Sequence, residues 1–343
     1  MLYRPHTPVL TETIIKLFRP TARDILLDAT LGTGGHAKAF LIASAPDGKV
    51  IGLDADAKAI VAAAHYLADY KNRVTFVTAN FAFLKDSLMG GGILGSTGSN
   101  PSANRDRLGK KGQTLKTSPA IKHTSNGLFT HILFDLGIGS HQIDDPTAGF
   151  SFLSDGPLRM LFGPNVHLPD SSFQSVNYAT ERLGHYPTAG ELIAKLSVPE
   201  LTLLIQILGE EKYAGRIAQA IKFSLPSTTQ ELATTIQQAV PVSYEHGRIN
   251  PATRTFQALR LAVNRELEAI SMALPQAADL LQANGLLAVI SFHSLEDRVV
   301  KQFFRSSRLE MVAKKPLTAS VDEIKRNPRS RTAKLRAARK PPD

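Results

Sequence analysis

Residues 25–40 constrain this chain more than any other stretch. Ile25, Leu26 and Leu27 form an apolar run that stops at Asp28, then come Gly32, Gly34 and Gly35, and a helical pattern starts at Ala37. A buried strand, a glycine turn and a helix make the first unit of a doubly wound α/β sheet. Glycine suits such a turn because a ligand can approach the backbone where a Cβ would stand in the way. Asp28 and Thr30 fall where the strand ends, at the mouth of the crevice. A second strand, Val50-Ile51-Gly52-Leu53-Asp54, closes on an acid placed to accept hydrogen bonds from ribose hydroxyls. Gly32, Gly34, Gly35 and Asp54 therefore point to a nucleoside-bearing cofactor. The loose nicotinamide-dinucleotide fingerprint also fits Gly32 to Ala37, so this stretch alone leaves the cofactor open.

At 343 residues the chain is long enough for one large core or two smaller ones. No apolar run approaches the roughly 20 residues of a membrane span. Cysteine is absent, which excludes disulfides, thiolate nucleophiles and cysteine-ligated metal centres, and no metal site is expected. The chain enters Pro8-Val9-Leu10 almost directly, without a signal-like or arginine-rich leader. The net charge of +10 is uneven. Residues 301–343 carry 13 Lys/Arg against 4 Asp/Glu, and residues 90–127 carry 6 against 1, so the remainder is acidic. Two basic segments on an acidic body suit a polyanion partner, although a solvated tail has the same composition.

Further along, Val74-Thr75-Phe76-Val77 reads as a third strand ending at Asn80 and Phe81, where an adenine could stack or be hydrogen-bonded; Phe81 could equally be ordinary core. Residues 90–127, rich in Gly, Ser, Asn and Lys, read as a flexible insertion without catalytic content. His131 to Asp135 is a fourth strand beside the first, and its terminal acid faces the same crevice. Residues 173–245 show helical periodicity punctuated by prolines and no strand. A crossover helix follows from Ala252 to Leu274, then a fifth strand from Gly285 to Ser291, a helix entered through His293, and one last edge strand near Leu335. The division expected is a core at 1–148, a helical substrate-recognition insert at 149–248 and a second core part with a basic tail at 249–343.

Several runs now stand in one order: His6-Thr7-Pro8-Val9-Leu10, Gly34-Gly35-His36, Asp135-Leu136-Gly137, Gly149-Phe150-Ser151-Phe152, Asp155-Gly156-Pro157-Leu158, Pro251 through Arg260, Ser291 through Arg298, and Asn327-Pro328-Arg329-Ser330-Arg331. In these the chain resembles the MraW/RsmH family of methyltransferases, which act on the exocyclic amine of a cytidine in small-subunit ribosomal RNA. The resemblance covers everything except residues 90–127. It implies a class I S-adenosylmethionine-dependent methyltransferase core with an inserted all-helical domain. It also implies S-adenosylmethionine contacts at Gly34, Gly35, His36, Asp54, Phe81, Asp135 and Gln142, a small-ribosomal-subunit partner, and work in the bacterial cytoplasm or, alternatively, in a mitochondrial matrix or other organelle. Two loops depart from the family pattern. Arg159 and Leu161 stand where an acid and an arginine are usual, and Gly139, Ser140 and His141 replace two serines and a proline.

Methyl transfer from a sulfonium is an in-line displacement, so alignment is the main demand on the protein. A cytosine amine is a poor nucleophile, and an acceptor on one of its hydrogens would help; Asp135 or a nearby carbonyl is the candidate, unless Asp135 serves only to hold the cofactor. His293 is the candidate for taking the released proton, or else a structural hydrogen-bonding residue at the strand end. A target base stacked in RNA must be extruded, with the helical insert and the basic tail, including Arg329, Arg331 and Arg336, as clamps. Three competing readings remain: a nicotinamide-dependent oxidoreductase, a catalytically silent RNA-binding assembly factor on the same fold, and a methyltransferase acting on protein or DNA with the same core.

Overall fold

The computed structural model describes residues 7–90, 114–115, 127–162, 187–244 and 249–342. The chain forms two compact units, residues 1–137 with 269–343, and residues 138–268. Reading from sequence put these transitions at 148/149 and 248/249.

The first unit begins with helix α1 (Thr11–Phe18), then β1 (Ile25–Asp28), α2 (Gly35–Ala43), β2 (Lys49–Asp54), α3 (Ala57–Tyr66), β3 (Val74–Thr78) and α4 (Leu84–Gly90). Strand β5 (Phe129–Asp135) resumes the pattern. Apolar runs without polar alternation mark strands covered on both faces, and Leu26, Leu27, Ile51, Leu53, Ile132, Leu133 and Phe134 are all buried. The insertion at 90–127 lies almost wholly outside the described residues. Within it, β4 (Thr114–Leu115) pairs antiparallel with Phe76 and Val77 of β3. Composition could not reveal this pair, because main-chain hydrogen bonding at a sheet edge requires no apolar periodicity.

The second unit is helical: α5 (Ala189–Lys195), α6 (Val198–Gly209), α7 (Ala214–Ser224), α8 (Thr229–Ala239) and α9 (Ala252–Asn264). Thr188 with Glu191, Ser197 with Glu200 and Thr228 with Glu231 form capping boxes, each satisfying otherwise orphaned first-turn N–H groups. Leu201, Ile205, Ile217, Ile221, Leu232, Ile236 and Leu259 fill the interior. The run from Pro251 to Arg260 is structural in this unit. Thr255, Phe256, Ala258 and Leu259 are buried, Gln257 donates to the Leu208 carbonyl at 3.3 Å, and Arg260 holds Glu266 through two bonds of 2.8 and 3.1 Å. The single crossover helix expected over 252–274 is in fact two, α9 and α10 (Glu266–Leu280), broken at Arg265, which is buried with φ 48°. An arginine carries no sequence signal for the left-handed region, so the break was invisible to periodicity.

The first unit closes with β6 (Leu281–Ser291), α11 (Ser294–Ser306), β7 (Glu310–Met311), β8 (Leu317–Thr318), α12 (Val321–Arg326) and β9 (Lys334–Arg339). The strand order is β4-β3-β2-β1-β5-β6-β9-β7, with β8 also on β9. Strands β3, β2, β1, β5 and β6 are mutually parallel, and β9 enters antiparallel to β6. This is the class I methyltransferase core. Its topological switch point lies between β1, which leads outward to β2, and β5, which leads the other way; ligands bind there, beyond the carboxyl ends of the strands. Strand β9 pairs with β6, β7 and β8, so it is enclosed rather than an edge. Among the described residues no helix is long and apolar enough to cross a membrane.

Candidate functional site

The switch point gathers three ionisable side chains. Asp28 ends β1, His36 lies in the first turn of α2, and Asp135 ends β5. The intervening residues are tied to both neighbouring strands, since Ala29 N–H donates to the Leu133 carbonyl and Leu31 N–H to that of Leu53, each at 2.9 Å. The Asp135 N–H donates to the Thr30 hydroxyl at 2.6 Å. The turn then folds back onto β2, where Asp54 Oδ2 accepts from Gly32 N–H and Oδ1 from Asp56 N–H, both at 2.8 Å.

The three glycines of the turn divide by role. Gly34 has φ 87° and a Cβ there would lie 2.9 Å from Leu67 Cδ1; a Cβ on Gly35 would lie 2.9 Å from Pro8 Cγ. Both are demanded by the protein's own packing rather than by a ligand. Of the three, only Gly32, φ 53°, faces open space. Close ligand approach, the reason first suggested for glycine in this turn, therefore fits Gly32 best.

Asp28 is 1% exposed and His36 7%. Burial pushes the Asp28 carboxyl up to about 7, against the pull of His36 and a bond from Thr30 N–H, with Asp135 and Asp54 adding to the rise. Burial opposes charge on His36 too, but the adjacent Asp135 and then Asp28 more than offset it and hold the ring above its ordinary value. His36 Nε2 lies 3.4 Å from Asp135 Oδ2. Asp28 Oδ2, His36 Nδ1 and Asp135 Oδ1 are buried and have no hydrogen-bond partner in the protein. Buried polar atoms are normally paired, so this concentration marks a place where a ligand completes the bonding. S-adenosylmethionine fits these acceptors: it brings an ammonium and a sulfonium to one buried and one half-buried carboxylate, and a ribose diol to an acid at the end of β2.

Phe81 opens a 3-10 turn after β3, half-buried, with its ring edge-on to Phe134 at 5.8 Å and 88°. Asn80 spends its side-chain oxygen capping that turn, on Ala82 N–H at 2.9 Å. Gln142 belongs to the other unit, where its Oε1 accepts from Gly139 N–H at 3.1 Å. His293 caps α11. Its Nδ1 faces Glu296 N–H at 3.4 Å, its Nε2 lies 3.2 Å from Glu296 Oε1, and Glu296 Oε2 in turn accepts from Phe292 N–H at 2.8 Å. Nδ1 thus serves the helix cap, while Nε2 is buried without a hydrogen-bond partner among the described residues. Asp28 was noticed at the strand mouth but not carried into the cofactor set; its signal was an acid directly after an apolar run. Arg159 is exposed and Leu161 half-buried in the loop of the second unit.

A family model described as the MraW methylase family matches residues 3–341. Ribosomal RNA small subunit methyltransferase H of Dehalococcoides mccartyi strain BAV1 is 38% identical over 358 residues, covering 98% of this chain and 87% of that protein. Its counterpart in Heliobacterium mobile is 36% identical, covering 98% of each. A crystal structure of an rRNA methylase from Streptococcus thermophilus covers 99% of both chains at 10% identity with a TM-score of 0.39, too low to add to a fold assignment that stands on strand order. With the matched segment running from before the glycine turn to beyond β9, this chain belongs to the MraW methylase family.

Proposed function

We propose that this protein transfers a methyl group from S-adenosylmethionine to the exocyclic amine of a cytidine in small-subunit ribosomal RNA. The observation that carries the reading is the cluster of Asp28, His36 and Asp135, with its buried, unpartnered atoms at the switch point. Bound there, the cofactor supplies an electrophilic methyl group. The residues then divide the work. Asp54, whose carboxylate accepts from Gly32 N–H and Asp56 N–H, is the acid offered to a ribose hydroxyl. Asp28 and Asp135 set negative charge against a cationic ligand, whose charge would favour the ionised form of the raised Asp28 carboxyl. The first turn of α2 offers main-chain N–H groups to a carboxylate. Phe81 offers a ring face for adenine. Asp135, whose side chain is a quarter exposed, is the one cluster member with an outward path. It holds the cofactor and stands where an acceptor for the amine hydrogen is needed. His293 holds the start of α11 through Nδ1, and its unpartnered Nε2 is the atom that would take the released proton.

The substrate places the protein with the small ribosomal subunit, in the cytoplasm of a bacterial cell, or in an organelle that keeps ribosomes of that type. Two measurements test the reading together. Calorimetry should show binding of S-adenosylmethionine and not of NADH, and mass spectrometry should find methylated cytidine in small-subunit RNA only when the protein is present. Cofactor binding without that modification would return the protein to the silent assembly factor.

A further inference from the structure

Two of the runs that carry the family likeness have no part in the site described above: residues 7–10 near the start, and residues 327–331 more than three hundred positions later. The structure joins them. Leu10 sits at the start of α1 with φ 57° and no exposed surface, so its N–H has no intrahelical partner; Glu323 Oε1 accepts it at 2.6 Å. Asn327 Nδ2 donates to the Thr7 carbonyl at 3.0 Å. Between these two ties lies Pro8, the residue pressed against Gly35 at the head of α2. Val9 beside it is 3% exposed. The short loop that backs the cofactor turn is thus pinned on both sides by the C-terminal segment.

That segment is hydrogen-bonded within itself. Ser320 caps α12 through Glu323 N–H at 3.2 Å, and Asn327 N–H returns to the Glu323 carbonyl at 2.7 Å. The Asn327 carbonyl accepts from Ser330 Oγ at 2.7 Å and from Ser330 N–H at 2.9 Å. Asn327 and Ser330 are buried, and strands β8 and β9 anchor the segment at either end. Its other side is cationic: Lys325, Arg326, Arg329 and Arg331 are all exposed. The Glu323 carboxylate also contributes to holding the His36 ring above its ordinary pKa, so its charge reaches the cofactor cluster.

We infer that Glu323 and Asn327 are positioning residues for the cofactor turn, and that RNA phosphates on the exposed cations of the same segment tighten cofactor binding through them. The inference rests on the ribosomal RNA function proposed above. A loop held by two hydrogen bonds retains some freedom, and a polyanion spanning Lys325 to Arg331 would restrict the segment that holds it. Linkage then requires the converse, that bound cofactor strengthens RNA binding by the same factor.

The test is calorimetric titration of S-adenosylmethionine into the full chain, with and without a small-subunit RNA fragment. Without RNA, Glu323→Ala and Asn327→Ala should each weaken cofactor binding about three- to tenfold, the worth of one hydrogen bond. Glu323→Gln, which keeps the acceptor oxygen, should recover most of that affinity. A matching melting temperature for the cofactor-free variants separates positioning from general destabilisation. Adding RNA should tighten cofactor binding in the wild type, and the exposed double variant Arg329→Gln/Arg331→Gln should lose that tightening while keeping the RNA-free affinity. Wild-type affinity in both alanine variants overturns the positioning role. RNA that binds without changing cofactor affinity overturns the coupling. If RNA does not bind the wild type at all, the substrate reading fails and the coupling fails with it, while the RNA-free arm still decides the positioning role.

Discussion

Each unit buries a polar cluster, and the two are built on opposite plans. In the helical unit Glu211, 1% exposed, accepts the Tyr244 hydroxyl at 2.5 Å and the Tyr213 N–H at 2.8 Å, while Arg254 donates to the Tyr244 oxygen at 3.2 Å. The two tyrosine rings meet edge-on at 5.1 Å, and Lys212 lies over both. Acceptors there are matched to donors within the protein. In the sheet unit Asp28 and His36 are buried, Asp135 is half-buried, and all three hold buried atoms left unmatched. A saturated network fixes helices; an unsaturated one stores a cost that only a ligand removes. Buried polar clusters thus separate structure from function by whether their bonding is complete.

The largest expected effect comes from opening the saturated network. Glu211→Ala leaves Tyr244 and the Tyr213 N–H without their acceptor and should cost about 3 kcal/mol in urea unfolding. Cofactor affinity of the folded protein should stay at its wild-type value; a parallel loss would mean that the two clusters are not independent.

Asp28→Asn should act in the reverse sense. The native carboxyl, raised to about 7, binds a proton that the unfolded chain releases near 3.8, so native stability falls as pH climbs between these values. His36, also raised, adds a loss in the same direction above its ordinary pKa. The cofactor-free variant should match the wild type near pH 4 and exceed it by roughly 2–4 kcal/mol at pH 8. At the same time it should bind S-adenosylmethionine about tenfold more weakly, because a charge-assisted bond is gone. Equal stability of the two proteins across that pH range would remove the stored cost from the comparison.

Asp54→Ala should weaken cofactor binding by about 1–3 kcal/mol, since it removes a ribose acceptor and releases Gly32 N–H. Asp54→Asn, able to keep one backbone bond, should fall between. The smallest effect concerns the basic tail. Arg336, expected as an RNA clamp, is instead buried and gives Asp297 two bonds of 2.7 and 3.1 Å, pulling that carboxyl below its ordinary value despite burial. Arg329 and Arg331 remain exposed. Replacing these two by glutamine should reduce the slope of log RNA affinity against log salt by roughly 0.7–0.9 for each phosphate that is no longer neutralised. Arg336→Gln should leave the slope unchanged and lower thermal stability.

The strand ends were legible because an apolar run followed by an acid is a local signal: Asp28, Asp54 and Asp135 all sit where such runs stop. The glycine turn was equally local, although the partners that require Gly34 and Gly35, Leu67 and Pro8, were not. What sequence concealed was pairing at a distance. Glu323 and Asn327 lay in a stretch whose excess positive charge suggested only a surface, and their partners are more than three hundred residues away. Arg336 drew attention as one cation among thirteen, and only the neighbouring α11 reveals its use. For His293 the structure adds a capping box with Glu296, three positions on, which occupies Nδ1 and leaves Nε2 without a hydrogen-bond partner among the described residues.

Strand β9 has a consequence for the protein while it is being made. Translation delivers β1, the glycine turn, β5 and β6 well before residues 334–339 leave the ribosome. Until then β6 presents six residues, from Leu286 to Ser291, with no partner on that side. An unpaired apolar edge invites pairing with another chain. The nascent protein therefore holds nearly every residue of its cofactor site while its sheet is still open, and a single late strand both seals that edge and brings β7 and β8 into register. A message cut short before Lys334 would yield a chain complete in its chemistry and exposed to aggregation.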